Sequence, residues 1–401
     1  MKIKPVILCG GAGTRLFPNF KKSPVKQFID FGGWSLLEKT LDRVKSPLFD
    51  TPIISTNSIY EKFIRKTLKK KNIKKYKIIL EPLKKNTAAA IISSSLIEEI
   101  KINQPILFLP SDHYISQKEQ FNKILKSNLF NLSSKNIFIF GIKPKNPRSD
   151  YGYLLTKKVN SKINKVVDFV EKPNQKTAKE IIKKNGYWNS GIVLARKDSI
   201  INNAKKFQKS LFNLCLSSLK LSKQKNNIII LNKKYFSKIK PISFDFAILE
   251  KAKEINSIGL NISWSDLGSW IEKFKIIKSL SNFNKIKKKT FYRPWGNYKN
   301  YFKGKNFLLK ELTINKNSSI SLQKHRHRAE HWTVTSGKPK ITIGKKVFFK
   351  NVNESVFVPR GAIHRIENID NKPVKIVEAQ LGKILKESDI IRYQDIYGRI
   401  N

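Results

Sequence analysis

A chain of 401 residues is longer than one ordinary domain and suits two or three. Apolar residues make up 40%, enough for a sizeable core and too many for a disordered chain. The net charge of +51 favours anionic partners, yet the excess is mostly lysine spread from end to end among many Ile and Asn residues. That reads as a solvated lysine surface, because nucleic-acid sites gather basic and aromatic residues on one element. No nucleic-acid partner is therefore expected. The two cysteines, Cys9 and Cys215, cannot build a disulfide framework. No stretch approaches the roughly 18 apolar residues of a membrane span. Met1 to Pro5 runs directly into a strand without a cleavage region. The expectation is a cytoplasmic protein with no membrane partner.

In chain order, Pro5–Cys9 is a buried apolar strand ending in glycines, Leu36–Lys45 a helix, Pro52–Ser55 a strand and Ile59–Leu68 a helix. Lys77–Leu80 is a strand, Thr87–Ile100 a helix capped by Asn86 or Thr87, and Ile106–Leu109 a strand ending at Pro110-Ser111-Asp112-His113. This alternation implies a mostly parallel sheet with helices on both faces, whose ligands gather at the carboxyl ends of the strands. Gly10 and Asp112 both follow strands and are expected to share a crevice. A short lysine-rich connector follows. Beyond Arg293-Pro294-Trp295-Gly296 the strands are short and alternate with period two, as in Phe307–Ile314, Ile341–Ile343 and Ser355–Val358, which reads as an all-β sandwich or barrel.

Two constellations carry chemistry. Gly10, Gly11 and Gly13 follow a strand, so backbone amides can approach phosphate oxygens and form an anion nest, with Arg15 as a forked cation. Leu16 stands where a dinucleotide motif needs its last glycine, and the loop lacks a P-loop lysine, so neither of those classes is supported. Taken together with later segments, the loop resembles that of the sugar-1-phosphate nucleotidyltransferases, and specifically the mannose-1-phosphate guanylyltransferases. The segments carrying the resemblance are Gly10-Gly11-Ala12-Gly13-Thr14-Arg15-Leu16-Phe17-Pro18 with Lys26-Gln27-Phe28, Glu81-Pro82 with Lys85-Asn86-Thr87-Ala88, and Pro110-Ser111-Asp112-His113. Tyr151-Gly152-Tyr153, Phe169-Val170-Glu171-Lys172-Pro173, Trp188-Asn189-Ser190-Gly191 and Trp264-Ser265-Asp266-Leu267-Gly268-Ser269-Trp270 complete the set.

The resemblance implies transfer of GMP from GTP to mannose 1-phosphate. Gly10, Gly11, Gly13, Thr14, Arg15, Glu81, Asn86 and Thr87 would bind the nucleotide. Gly152, Glu171, Lys172 and Asn189 would hold the sugar phosphate. Asp112 and Asp266 would carry Mg²⁺, a hard cation that takes carboxylate oxygens, and Arg15 and Lys26 would stabilise the triphosphate and leaving pyrophosphate.

The second constellation is a histidine box. His325 and His327 stand two apart on an expected strand and face the same way; His331 keeps that parity, and Glu330 joins them only across a bulge. His364 follows in Pro359-Arg360-Gly361-Ala362-Ile363-His364, with Asn368 four residues on. Imidazole is the commonest transition-metal ligand. The pattern resembles the cupin double motif, and Gln323–Trp332 resembles the mannose-6-phosphate isomerase motif of the bifunctional isomerase–guanylyltransferases. Arg293–Gly296 and Tyr397-Gly398-Arg399 fit them too. The implied metal is a divalent transition ion such as Zn²⁺ on His325, His327, Glu330, His331 and His364, with Glu330 or His331 left open. The implied reaction is mannose 6-phosphate–fructose 6-phosphate exchange through an enediol.

The fold class implied is an α/β nucleotidyltransferase, Rossmann-like with a mostly parallel mixed sheet, followed by an all-β cupin barrel. The domains expected are 1–270, a linker 271–291, and 292–401. Three departures from the family stand out: Pro24 is one residue removed from Lys26, Asp150 replaces the glycine usual before Tyr151, and the β-rich segment common between the two domains is reduced to a short link. A guanylyltransferase with a structural or sugar-binding cupin, a uridylyl- or thymidylyltransferase acting on another hexose 1-phosphate, and an inactive binding protein remain as alternatives. A homo-oligomer is left open.

Overall fold

The computed structural model describes residues 1–11, 25–29, 34–160, 163–267, 272, 290–304 and 306–399. The chain divides into two compact units, one built chiefly from residues up to Asp266 and the other from Leu267 onward.

The first unit is built on an eleven-stranded sheet. Lys4–Cys9 lies near its middle and pairs in parallel with Ile53–Asn57 on one side and Pro105–Pro110 on the other. Ile53–Asn57 continues outward to Lys77–Glu81, also parallel. The chain thus winds one way from Lys4–Cys9 and returns to its other side at Pro105–Pro110. This reversal opens a crevice at the carboxyl ends of those two strands, where Gly10 and Ser111–Asp112 emerge. The sheet is mixed beyond that point, because Tyr187–Arg196 inserts antiparallel between Pro105–Pro110 and Ile137–Ile142. The central strands are buried on both faces, which explains their unbroken apolar runs: Val6, Ile7 and Cys9 have no exposed surface.

One helix differs from expectation. The segment expected to run from Thr87 to Ile100 is helical only over Asn86–Ser95, and its N-cap is Lys85, with no side-chain cap bond. Asn86 adopts φ of +67° and its side chain accepts the Thr87 N–H at 2.8 Å. At the other end Ser95 Oγ donates back to the Ile91 carbonyl, a local bond that competes with helix continuation. Lys197 then captures the carbonyls of Ile97 and Ile100 at 2.8 and 2.9 Å, and these two side chains stay buried outside the helix while Glu98 and Glu99 are exposed.

The described strands of the second unit all pair antiparallel. One sheet orders Thr290–Arg293, Gly296–Lys303, Phe307–Ile314, Val374–Gly382, Arg328–Ser336 and Ser355–Val358. The other orders Lys346–Phe349, Lys340–Ile343, His364–Asn368, Leu322–His325 and Ile390–Gln394, with Ser318–Ser319 against His364–Asn368. Trp295, Leu312, Trp332, Ile341, Ile366 and Ile376 form its core. Gly296 starts a strand at φ of +141°, where an added Cβ would lie 2.0 Å from the Thr313 carbonyl oxygen; only glycine fits there. No helix among the described residues is long and apolar enough to cross a membrane.

Candidate functional site

In the first unit, Gly10 and Gly11 leave the end of Lys4–Cys9, where an added Cβ would meet nothing within 4 Å. Gly13, Thr14, Arg15 and the displaced Pro24 lie outside the described residues. Lys26 opens a short 3-10 turn, Lys26–Phe28, and is 6% exposed. Its ammonium donates to Asp112 Oδ2 at 2.8 Å and to the carbonyl of Asp266. Two carboxylate residues far apart in sequence are therefore joined through one lysine. Asp266 gets there because Trp264–Ser265 pairs antiparallel with Tyr114–Ile115, directly after Asp112. Burial acts to raise the Asp112 pKa, but the charges of Lys26 and His113 prevail and hold it below the usual carboxylate range. Burial lowers the His113 pKa and favours its neutral ring.

Tyr151 ties this group to the next. Its hydroxyl donates to Asp266 Oδ1, and its ring meets Trp188 and Trp264 edge-on at 5.0 and 5.8 Å. Gly152 follows, and the sheet register explains what surrounds it: Tyr153 pairs with both Val170 and Trp188, so the segments holding Glu171 and Asn189 converge on it. A Cβ on Gly152 would come within 2.6 Å of Glu171 Oε2. Lys172 has φ of +47° and pairs with Glu171 at 2.9 Å. Asn189 donates its amide N–H to Asp245 Oδ1 at 2.8 Å.

Asp245 was not singled out in the sequence. It opens a π-helix, Asp245–Leu249, a rare geometry that often marks functional sites. Burial, and then the charge of Glu171, push its pKa up to about 6. The available signal was an acid inside the apolar run Phe244-Asp245-Phe246-Ala247-Ile248-Leu249, facing nothing that sequence alone could name.

Glu81 ends its strand buried, accepting the Ser55 hydroxyl at 2.6 Å, and burial pushes its pKa up to about 7. Asn86 is exposed, while Thr87 Oγ1 accepts the Phe244 N–H at 2.8 Å.

In the second unit, His325, Glu330 and His364 form a buried group whose ligand-type atoms all lie within 4.8 Å of one another, an arrangement able to hold a metal ion. His325 Nε2 is 3.0 Å from Glu330 Oε1, and His364 Nε2 is 3.7 Å from Glu330 Oε2. His364 Nδ1–H donates to the Ala362 carbonyl at 2.8 Å, which leaves Nε2 with a free lone pair; that atom is buried without a hydrogen-bond partner. Burial lowers the His364 pKa to about 4, against the charge of Glu330. Burial also acts to raise the Glu330 pKa, but His325 and Arg328 hold it well below its usual value.

His327 and His331 are not in this group, which corrects the expected parity. The strand does not continue through the box. Leu322–His325 ends, Arg326 and His327 turn with both N–H groups on the Asp389 carboxylate, and a new strand starts at Arg328. The turn resets the alternation, so Arg328, Glu330 and Trp332 share the interior face. His327 is half-exposed and donates to Asp389 at 2.8 Å, and the His331 ring lies by Phe357. Asn368 is a loop clamp, with its amide on the carbonyls of Ile314, Asn315 and Lys372.

Glu378 and Gln380 carry no sequence signal of their own, yet both join this group. Glu378 is buried beside Glu330; Trp332 Nε1 donates to both carboxylates at 3.2 Å, and Gln380 bonds both as well. Burial, with the charge of Glu330, raises the Glu378 pKa to about 7. They lie on Val374–Gly382, directly opposite Glu330 and Trp332 in register, a pairing invisible without the sheet.

A mixed sheet with a strand-end crevice, and a separate β unit with an imidazole–carboxylate group, define a two-part enzyme of the nucleotidyltransferase class. A sequence-family model described as nucleotidyl transferase matches residues 4–282, and one described as mannose-6-phosphate isomerase C-terminal matches residues 281–395. The chain belongs to the nucleotidyl transferase family, in its bifunctional type II branch that ends in the isomerase domain. It is 30% identical to a mannose-1-phosphate guanylyltransferase of Salmonella montevideo, covering 99% of this chain and 100% of that one. It is 28% identical to an alginate biosynthesis protein of Pseudomonas fluorescens, covering 98% and 96%. A solved mannose-6-phosphate isomerase structure from Helicobacter pylori superposes with a TM-score of 0.58 at 25% identity, covering 66% of this chain and 100% of that one. The Pseudomonas alignment spans 468 positions against 401 residues here, so at least 67 positions have no counterpart in this chain.

Proposed function

We propose that the chain transfers GMP from GTP to mannose 1-phosphate, forming GDP-mannose and releasing pyrophosphate, and that its C-terminal unit interconverts mannose 6-phosphate and fructose 6-phosphate. The observation that carries the first part is the Lys26 ammonium shared by Asp112 and Asp266 at the crevice, with the Tyr151, Glu171 and Asn189 pocket beside it. The work is assigned to residues 1–270 and 292–401, joined by 271–291, in a cytoplasmic protein.

The chemistry joins two anions, so charge compensation and alignment dominate the barrier. Lys26 places a cation where the triphosphate turns over, and Asp112, kept ionised, holds that cation in place. Glu171 and Asp245 are oriented to accept hexose hydroxyls, with Asn189 fixed between acid and sugar; Lys172 meets the sugar phosphate. Glu81 is assigned to the base, Gly10, Gly11, Gly13, Thr14 and Arg15 to the phosphates, and Asn86 and Thr87 to the nucleotide. Asp112 and Asp266 offer the hard oxygens that Mg²⁺ takes, and when bound it would neutralise phosphate charge.

In the second unit, the unpartnered Nε2 of buried His364 fits a metal, held with His325 and Glu330. Nitrogen and carboxylate donors suit a transition ion such as Zn²⁺, which would polarise a sugar carbonyl. Arg328 and Gln380 orient Glu330.

The test is a GTP plus mannose 1-phosphate assay, run beside UTP, dTTP and ATP, and a mannose 6-phosphate isomerisation assay. Asp112→Ala should lower guanylyl transfer by about 100-fold or more while the melting temperature stays close to wild type. Near-normal turnover at saturating Mg²⁺ would remove Asp112 from the mechanism.

A further inference from the structure

The cavity of the β-rich unit has two chemically different ends. It is a cleft partly open to solvent. Trp295, Leu312 and Ile320 supply apolar wall. The buried carboxylates Glu330 and Glu378 mark one end, beside the two imidazoles. Five cations also line it, against three carboxylates.

Four of those cations are already engaged. Arg328 donates to Glu330 at 3.0 Å, Arg293 pairs with Glu387 at 2.9 Å, and Arg399 holds Asp395 through two bonds of 2.7 Å. Lys310 is 3.9 Å from Glu378. Arg392 differs. It forms no ion pair with a described carboxylate, and its Nε is buried without a hydrogen-bond partner among the described residues. Asp395 feels the Arg392 charge but is held directly by Arg399. A buried donor left unmatched is unfavourable, so among the cations lining this cleft Arg392 has capacity for a further acceptor.

The sheet register sets the distance to the other end. Arg392 pairs with Gln323, and Gln323 pairs with His364, across neighbouring antiparallel strands. Residues directly opposite share a face. With strands about 4.8 Å apart, Arg392 and His364 lie on one face roughly 10 Å from each other. A six-carbon sugar phosphate has this layout: an oxygen-rich carbonyl end, an apolar-backed carbon chain, and a phosphate at the far end.

We propose that Arg392, flanked by Arg399, is the phosphate-binding fork of this cavity, taking the phosphate ester of a hexose whose carbonyl end lies at Glu330 and His364. A planar guanidinium can meet two phosphate oxygens at once. The assignment rests on reading the unit as a sugar-phosphate isomerase, and names the group that selects a phosphorylated substrate.

The test is calorimetric binding of mannose 6-phosphate, mannose and inorganic phosphate to the full metal-loaded chain, for wild type, Arg392→Gln and Arg392→Lys, with isomerisation kinetics beside it. Wild type should prefer mannose 6-phosphate to mannose by about tenfold or more, and inorganic phosphate should compete. Arg392→Gln should erase the preference and raise KM more than it lowers kcat. Arg392→Lys, which keeps the charge and loses the fork, should fall between. If Arg392→Gln does not fold, the lysine variant and the phosphate competition decide. A wild type without preference, or a folded Arg392→Gln that keeps it, overturns the assignment. Preference without isomerisation leaves the subsite standing and defeats the isomerase reading; isomerisation with preference intact in Arg392→Gln does the reverse.

Discussion

Asp245→Asn should stabilise this protein above pH 6 while weakening its use of mannose 1-phosphate. Burial and the neighbouring Glu171 charge raise the Asp245 pKa from 3.8 to about 6. In an unfolded chain the group ionises near its ordinary value, so between those two pH values the folded state binds more protons. Stability therefore falls as pH rises through that window and stays reduced above it. A rise of that size corresponds to about 3 kcal/mol as an upper figure. The carboxyl is only partly shielded from solvent, so about 1–2 kcal/mol is the expected value. Asparagine is nearly isosteric, cannot ionise, and still offers an oxygen to the Asn189 amide at the position where Asp245 now accepts it at 2.8 Å. Urea unfolding of both proteins from pH 4 to pH 8 reads the difference directly, because the other titrating groups largely cancel. The variant should gain from near zero at pH 4 to about 1–2 kcal/mol by pH 7. Loss of a charged hydroxyl acceptor should raise KM for mannose 1-phosphate about tenfold. A stability difference flat across pH, or a variant less stable at pH 8, would refute the electrostatic account.

Other outcomes follow from geometry. In Gly152→Ala the new Cβ would fall 2.6 Å from Glu171 Oε2 and 3.2 Å from the Phe169 ring, so the flexible carboxylate moves and the fold stays. KM for mannose 1-phosphate should rise about tenfold with kcat changed less; unchanged KM would show that Glu171 does not meet the sugar. In the β-rich unit, His364→Gln should abolish stoichiometric divalent metal measured by elemental analysis, while His327→Gln keeps it. Equal metal in both variants would remove His364 from the site.

Some of this was legible because it is local. A short buried apolar run ending in glycines reads as an interior strand, which is what Lys4–Cys9 is. The strands Phe307–Ile314 and Ser355–Val358 fall where period-two alternation puts them. The motif residues in their chain order were enough to name the nucleotidyl transferase family and its isomerase-type C-terminus.

What needed the tertiary structure is what depends on register and burial between distant segments. The metal-type group excludes His327 and His331 because Asp389, some sixty residues away, turns the chain at Arg326–His327 and resets the alternation. Glu378 sits beside Glu330 only through strand pairing, and Asp245 beside Asn189 only because the π-helix brings its carboxylate to the amide of an interior strand. Their raised pKa values come from lost solvation and a like charge nearby, neither of which has a sequence signature. Residue types and local periodicity determined which chemistry this chain carries. Packing decided which copies of those residues face each other, because side-chain direction is set by a period that one turn can shift.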